Sequence, residues 1–226
     1  MKRRPTLQRS LLPLLFCLAL SSVGGSATAS DPNKAHANQG LLKPFTSAPA
    51  AQTLSASDLA KLKKGDFIQR HSEGDGGGSG VAVQYIKASP EVIWSTILNY
   101  SQYKNRVKNV KSCSVYKRSG DDIYVDMQSS VFGFGFGLYT RNTVKKDQGY
   151  MAWTLDYDRK SDVEDMVGYW RLESIQVSPP ITKLEYSTQI KMRGVPGFIV
   201  NYLTKDSLRE GTAWVKLHSE KAAGTD

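Results

Sequence analysis

Along residues 182–192 the side chains alternate in kind. Leu184, Tyr186, Thr188, Ile190 and Met192 fall on one face of an extended chain, and Lys183, Glu185, Ser187, Gln189 and Lys191 on the other. One face is an apolar wall carrying a few hydroxyls, which is what a pocket needs to hold an apolar molecule and orient it. Trp153, Trp170 and Trp214 are further wall material. In residues 132–137 the same alternation would put Phe132, Phe134 and Phe136 on one face and bare glycine backbone on the other, where a ligand, a helix or a bend can come close. Arg141, among apolar neighbours, would pair with a carboxylate or headgroup. Phe198, Ile199, Tyr202 and Leu203 follow the turn Gly194-Val195-Pro196-Gly197 and would form a gate, or a tip that touches a membrane surface. The candidate ligand-binding set is thus Phe134, Phe136, Arg141, Trp153, Trp170, Tyr186, Ile190, Phe198, Ile199, Tyr202 and Leu203. Plain core or helix packing is the competing role for most of these apolar residues, and a surface charge for Arg141.

Other chemistries fit less well. Asp156, Asp158, Asp162, Glu164 and Asp165 are clustered, but they miss the Asp-x-Asp-x-Asp-Gly calcium spacing, and Arg159 and Lys160 interrupt them. His36, His71 and His218 are too scattered for zinc. Ser114 and Lys117 match Ser-x-x-Lys only in letters, because on a strand they point to opposite faces. No Gly-x-Ser-x-Gly occurs, and no cofactor or metal is implied. An enzyme of this chain would polarise a carbonyl or move protons with Arg141, Asp156, Tyr186 or Tyr139. A third class is an adaptor with a filled interior.

The elements that must position these residues begin after a targeting segment. Lys2, Arg3, Arg4 and Arg9 precede an apolar run over residues 11–20 and then Ala27-Thr28-Ala29, the pattern of a signal peptide over residues 1–29. Its apolar core is shorter than the roughly 20 residues needed to cross a bilayer. The expected location is therefore periplasmic or secreted. Cleavage there removes Cys17 and four cations, leaving 26 basic against 21 acidic residues, so the net charge drops from +9 to about +5. That is too weak a basic excess for a nucleic-acid surface. Cys113 is then the sole cysteine, so the core is built without an intrachain disulfide.

Residues 30–57 lack periodicity and predict a flexible leader. A short helix over residues 58–62, capped by Ser57, comes next. Two β-rich runs, residues 67–71 and 81–86, flank a glycine-rich loop. Ser89 and Pro90 open an amphipathic helix with Val92, Ile93, Ile97 and Leu98 on one side and Trp94 at its edge. A second short helix or turn lies at residues 104–111. About five strands in hairpins fill residues 113–192, and a long helix spans residues 198–217, with Ile199, Leu203, Trp214 and Leu217 at compatible spacings. The domain is expected over residues 58–220, with a disordered tail at 221–226. The order predicts one α+β domain.

Three segments carry a family resemblance: Ala88-Ser89-Pro90-Glu91-Val92-Ile93-Trp94 with Asn99-Tyr100-Ser101-Gln102-Tyr103, then Gly168-Tyr169-Trp170-Arg171-Leu172-Glu173, then Val195-Pro196-Gly197-Phe198-Ile199-Val200-Asn201-Tyr202-Leu203. Together they resemble the START-like (SRPBCC) superfamily of lipid-transfer domains, coenzyme-Q-binding proteins and polyketide cyclases. Leu138-Tyr139-Thr140-Arg141 lies where the family often has a polar strand with arginine, but Gly and Phe replace the family's proline-rich approach to it. The resemblance implies a helix-grip fold, in which a curved antiparallel β-sheet wraps a long C-terminal helix around a hydrophobic cavity. It also implies a lipid or other hydrophobic small molecule as partner, held by a carrier or sequestering protein, with transient membrane-surface contact. A cyclase or dehydratase acting on a polyketide-like substrate is the family's alternative, and no nucleic acid is implied.

Overall fold

The computed structural model describes residues 30–74 and 76–225, so the expected signal peptide lies outside the described residues. Eight strands form one antiparallel sheet: β1 (Phe67–Gly74), β2 (Gly77–Ile86), β3 (Val110–Ser119), β4 (Asp122–Val131), β5 (Phe134–Lys145), β6 (Tyr150–Leu155), β7 (Asp165–Gln176) and β8 (Ile181–Lys191). Their spatial order is β1-β2-β8-β7-β6-β5-β4-β3, so hairpins make every contact except the long crossing that lays β2 beside β8. The sequence expectation of about five strands after residue 113 becomes six. The extra boundary is a tight turn at Phe132 and Gly133, both with positive φ (51° and 85°). Phe132 therefore leaves the strand, and only Phe134 and Phe136 share its inner face.

Helices α1 (Ala56–Lys63), α2 (Pro90–Ile97), α3 (Tyr103–Arg106), α4 (Gly197–Asn201) and α5 (Ser207–Ala223) complete the fold. The cap of α1 is Ser55 and not Ser57: its hydroxyl accepts from the Asp58 N–H while the Asp58 carboxylate accepts from the Ser55 N–H. Pro90 begins α2, and Ile93, Trp94 and Ile97 are all buried, so Trp94 is in the core and not at its edge. A π-helical stretch, Tyr202–Asp206, separates α4 from α5. Its widened turns change the helix phase. Leu208, Thr212, Val215 and Ser219 consequently face inward, while Leu217 is 58% exposed and drops out of the apolar face read from the sequence. Residues 221–223, expected in a tail, are the last turn of α5, which Gly224 ends in the left-handed conformation.

The inner face of the sheet packs on α2 and α5, with Ile86, Ile93, Ile97, Leu184, Trp170, Trp214 and Val215 in one cluster. On β8 the alternation read from the sequence holds. Leu184 joins that cluster and Ile190 a second one with Leu138 and Leu155, while Lys183 and Glu185 lie opposite. Both faces are covered. Helix α1 packs Leu62 on Ile68 and Val83 of the outer face.

Residues 30–55, expected as a leader, contain no helix or strand, yet they are tied along that outer face. Asp31 bridges Lys160, and Phe45 meets Tyr169 edge-on at 4.9 Å. The Leu42 N–H donates to Asp165 Oδ2 at 2.8 Å, and the Gln52 N–H donates to the fully buried Glu185. Lys183 (3.2 Å) and Arg171 (3.5 Å) balance the Glu185 charge.

Gly168 on β7 has no room for a side chain, because a Cβ there would overlap the Trp153 ring and the Ser187 carbonyl. Gly168→Ala is expected to lower unfolding free energy by about 1–3 kcal/mol, the range for overpacking. Urea denaturation followed by tryptophan fluorescence reads this, and an unchanged midpoint would refute the close approach.

Candidate functional site

Between the inner face and α5 lies a cavity of about 170 Å³. An engineered cavity of about 150 Å³ accommodates benzene, so this one takes a ring or a short chain segment in the closed form. Rigid rings prop it open. Tyr186 packs against Trp153 at 5.6 Å and Trp170 at 4.4 Å, the two indoles meet each other at 6.4 Å, and across from them Trp214 meets Tyr103 at 5.1 Å, which in turn meets Tyr100 at 5.2 Å. Gly211 of α5 faces the Tyr186 ring, where a Cβ would make an ordinary contact with Cε1 at 3.5 Å. Val107, Val125, Met127, Met151 and Met166 supply the remaining apolar wall.

Polar lining is confined to neutral groups: Thr140, Asn142, Cys113 and three phenols. Asn142 Nδ2 donates to the Ile123 carbonyl (3.1 Å) and to Thr140 Oγ1 (3.0 Å), which fixes the side chain. The Tyr103 hydroxyl donates to the Ile97 carbonyl. Burial pushes the Tyr100 and Tyr103 phenols well above their usual range and Tyr186 up to about 12, so all three keep their protons at physiological pH. They serve as hydrogen-bond donors and not as bases. No Asp, Glu, Lys, Arg or His is among the lining residues. His218, on α5, is held below the ordinary imidazole range by burial and then by Arg106 and Lys221.

Of the residues singled out in the sequence, Trp153, Trp170 and Tyr186 come together in the cavity, joined by Trp214. Phe136, Ile190 and Leu203 pack in the neighbouring cluster, which reaches the cavity wall through Met127 and Met166. Ile199 is buried in the fold outside the lining. Phe134 (45% exposed) and Phe198 (56%) stand at the surface with Phe132 (63%), their rings 5.6–6.5 Å apart in edge contacts. Tyr202 meets Phe132 edge-on at 5.2 Å and accepts from Asn109 Nδ2 at 2.7 Å.

Arg141, expected at a ligand headgroup, is exposed on the outer face, because Thr140 and Asn142 take the inward positions of the same strand. Tyr139 and Asp156 are also outside: the Tyr116 hydroxyl donates to Asp156, and Arg159 lies over the Tyr116 ring at 4.0 Å. The acidic cluster is thus a tied loop, and no group of potential metal ligands occurs among the described residues. Sequence reasoning missed Thr140, Asn142 and Met151, although strand alternation from Leu138 and Trp153 would have found them.

The family model described as polyketide cyclase / dehydrase and lipid transport matches residues 86–205. Among solved structures, a START superfamily protein from Mycobacterium smegmatis is similar at TM-score 0.52 and 15% identity, over 69% of this chain and 98% of its own. A STAR-related lipid transfer protein from Xanthomonas axonopodis is similar at TM-score 0.53 and 12% identity, over 68% and 92%. A Thermus thermophilus protein gives 0.53 and 16%, over 66% and 99%. At these identities the likeness is one of fold, and it is the helix-grip fold. No curated protein matches the chain.

Burial, and then the charge of Asp126, pushes the Cys113 thiol up to about 12. At pH 8 the thiol form therefore dominates strongly. Alkylation by iodoacetamide is expected to be about a thousandfold slower in the native protein than in guanidinium, rising tenfold per pH unit from 7 to 10. Equal native and denatured rates would contradict the partly buried placement.

Proposed function

The chain belongs to the polyketide cyclase / dehydrase and lipid transport family, and from that premise we propose that it is an exported carrier or sequestering protein for a hydrophobic small molecule. The carrying observation is the lining, which has aromatic and aliphatic walls, a few neutral hydrogen-bonding groups and no ionised side chain. Such walls give affinity by area, at about 25 cal/mol per Å² removed from water. Asn142 and the phenols would orient one polar group of the ligand. General acid–base catalysis draws instead on groups whose pKa lies near the working pH, and Tyr186 at about 12 is far from it. Tyr186 is nonetheless the one member of the expected catalytic set that faces the cavity, which leaves a dehydratase in which it donates to a carbonyl as the second reading.

Entry of anything longer than one ring requires the walls to part. The π-helical stretch between α4 and α5 interrupts the covering helix, and such stretches are frequent at functional sites. Beside it the Phe132, Phe134 and Phe198 rings form an exposed aromatic tip, with Lys108 close to Tyr202. In this reading the tip touches an apolar surface while the helix start opens. Export follows from the basic, apolar and Ala-x-Ala order of residues 1–29.

Two outcomes test the proposal. Tryptophan quenching by 1-naphthol, a two-ring probe with one hydroxyl, is expected to saturate at one site, and Trp153→Ala to weaken it about tenfold; a linear, unsaturable response would contradict the cavity. The Phe198→Ala, Tyr202→Ala double variant should slow lipid transfer between vesicles several-fold at unchanged 1-naphthol affinity. Transfer as fast as in the unaltered protein would remove the gate.

A further inference from the structure

A second constellation sits on the outer face of the sheet, on the side away from the cavity. Ser30 lies over Gly137 of β5, where a Cβ would overlap the Ser30 side chain. The next residue is fixed by two main-chain bonds: the Asp31 N–H donates to the Lys160 carbonyl (2.9 Å), and the Lys160 N–H donates back (3.0 Å). In an antiparallel pair the residue before Asp31 runs beside the residues after Lys160. The Ser30 nitrogen is therefore carried toward Ser161 and Asp162.

Asp162 is itself held against Gly137. Its N–H donates to the Gly137 carbonyl (2.9 Å), and its Oδ2 accepts from the Gly137 N–H (2.7 Å). Its Oδ1 is, among the described residues, the one buried side-chain polar atom left without a hydrogen-bond partner. A buried carboxylate oxygen facing nothing is rare and asks for a donor. Nearby, Asp126 accepts from Gln128 Nε2, and the Gln128 Oε1 also borders Gly137. Of the nearby cations, Lys34 reaches Asp31 at 3.5 Å and Arg159 covers Tyr116 and Tyr139.

The residue seated here is the one that Ala27-Thr28-Ala29 would expose. We propose that hydrolysis of the Ala29–Ser30 bond creates an α-ammonium on Ser30 that docks on Asp162 Oδ1 and locks residues 30–55 to the sheet. This rests on the exported reading above. In the cut, water adds across the peptide bond: its hydroxyl completes the Ala29 carboxyl group, a hydrogen goes to the Ser30 nitrogen, and that amine then takes a proton from solvent. The hydrolase is of the signal-peptidase class. An uncut chain offers Asp162 at most one neutral amide N–H at this nitrogen, whereas the ammonium offers a charge and three donors. Processing would thus complete the fold, and the uncut chain would be the less stable form.

Three measurements bear on this. Intact mass of the protein recovered from cells expressing the full chain should place the N-terminus at Ser30. A start elsewhere overturns the proposal, and an uncut, unexported chain overturns the exported reading as well. Next, the thermal midpoint of the Ser30-start protein should exceed by about 2–4 °C that of the same chain retaining Ala29, and Asp162→Asn should erase the difference. No difference, or one that survives Asp162→Asn, overturns the docking while leaving export intact. Should Asp162→Asn fail to fold, the α-amine of the unaltered protein is labelled by 13C reductive methylation and titrated. Facing Asp162, Asp126 and Asp31, with Arg159 and Lys160 opposed, it should titrate above the ordinary 7.7–8.0; a value within or below that range overturns the docking.

Discussion

Tyr186 packs as a wedge against two indoles that also touch each other, and the cavity depends on that wedge. Protein interiors close up to crystal-like density wherever side chains can move into a void. Here the void is bounded on the sheet by Trp153, Tyr186 and Trp170 and on the helical side by Trp214 and Tyr103, rings too rigid to collapse into it. One glycine makes the arrangement possible, Gly168 under the Trp153 ring. The hydroxyls and amide that enter the space are neutral and mostly committed to fixed partners, so the interior is apolar with a small, preset polar pattern.

The sheet that carries this wedge is covered on both faces, which its sequence shows unevenly. The apolar face of β8 was legible because strict alternation admits one assignment of sides. The family pattern likewise marked α2, the tryptophan strand and the start of the last helix. Residues 30–55 were illegible for the opposite reason. They contribute to the packed clusters only through the half-buried Phe45 and Leu54, and they are held by hydrogen bonds to residues more than a hundred positions away, such as Leu42 to Asp165 and Gln52 to Glu185. No local pattern announces such bonds.

The site divides in the same way. Trp153, Trp170 and Tyr186 were legible as bulky rings on inward faces, whereas Arg141 was chosen for its charge against the alternation of its own strand, which puts Thr140 and Asn142 inside. Leu217 failed because the π-helical stretch, invisible in the spacing, shifts the phase of α5. Phe132 failed because a two-residue positive-φ turn, Phe132 and Gly133, separates the end of β4 from the start of β5. In the last two cases one predicted element proved to be two, a strand split at a turn and a helix interrupted by a π-helical stretch.

The central claim is that the cavity holds a hydrophobic small molecule in the working protein. Native mass spectrometry of the protein purified without detergent from its own compartment, followed by organic extraction, tests it most directly. The account predicts a one-to-one noncovalent adduct that the extraction removes and that is rich in carbon and hydrogen. A bare polypeptide mass, together with failure of apolar probes to enter the cavity, would contradict it and leave a protein whose surface does the work.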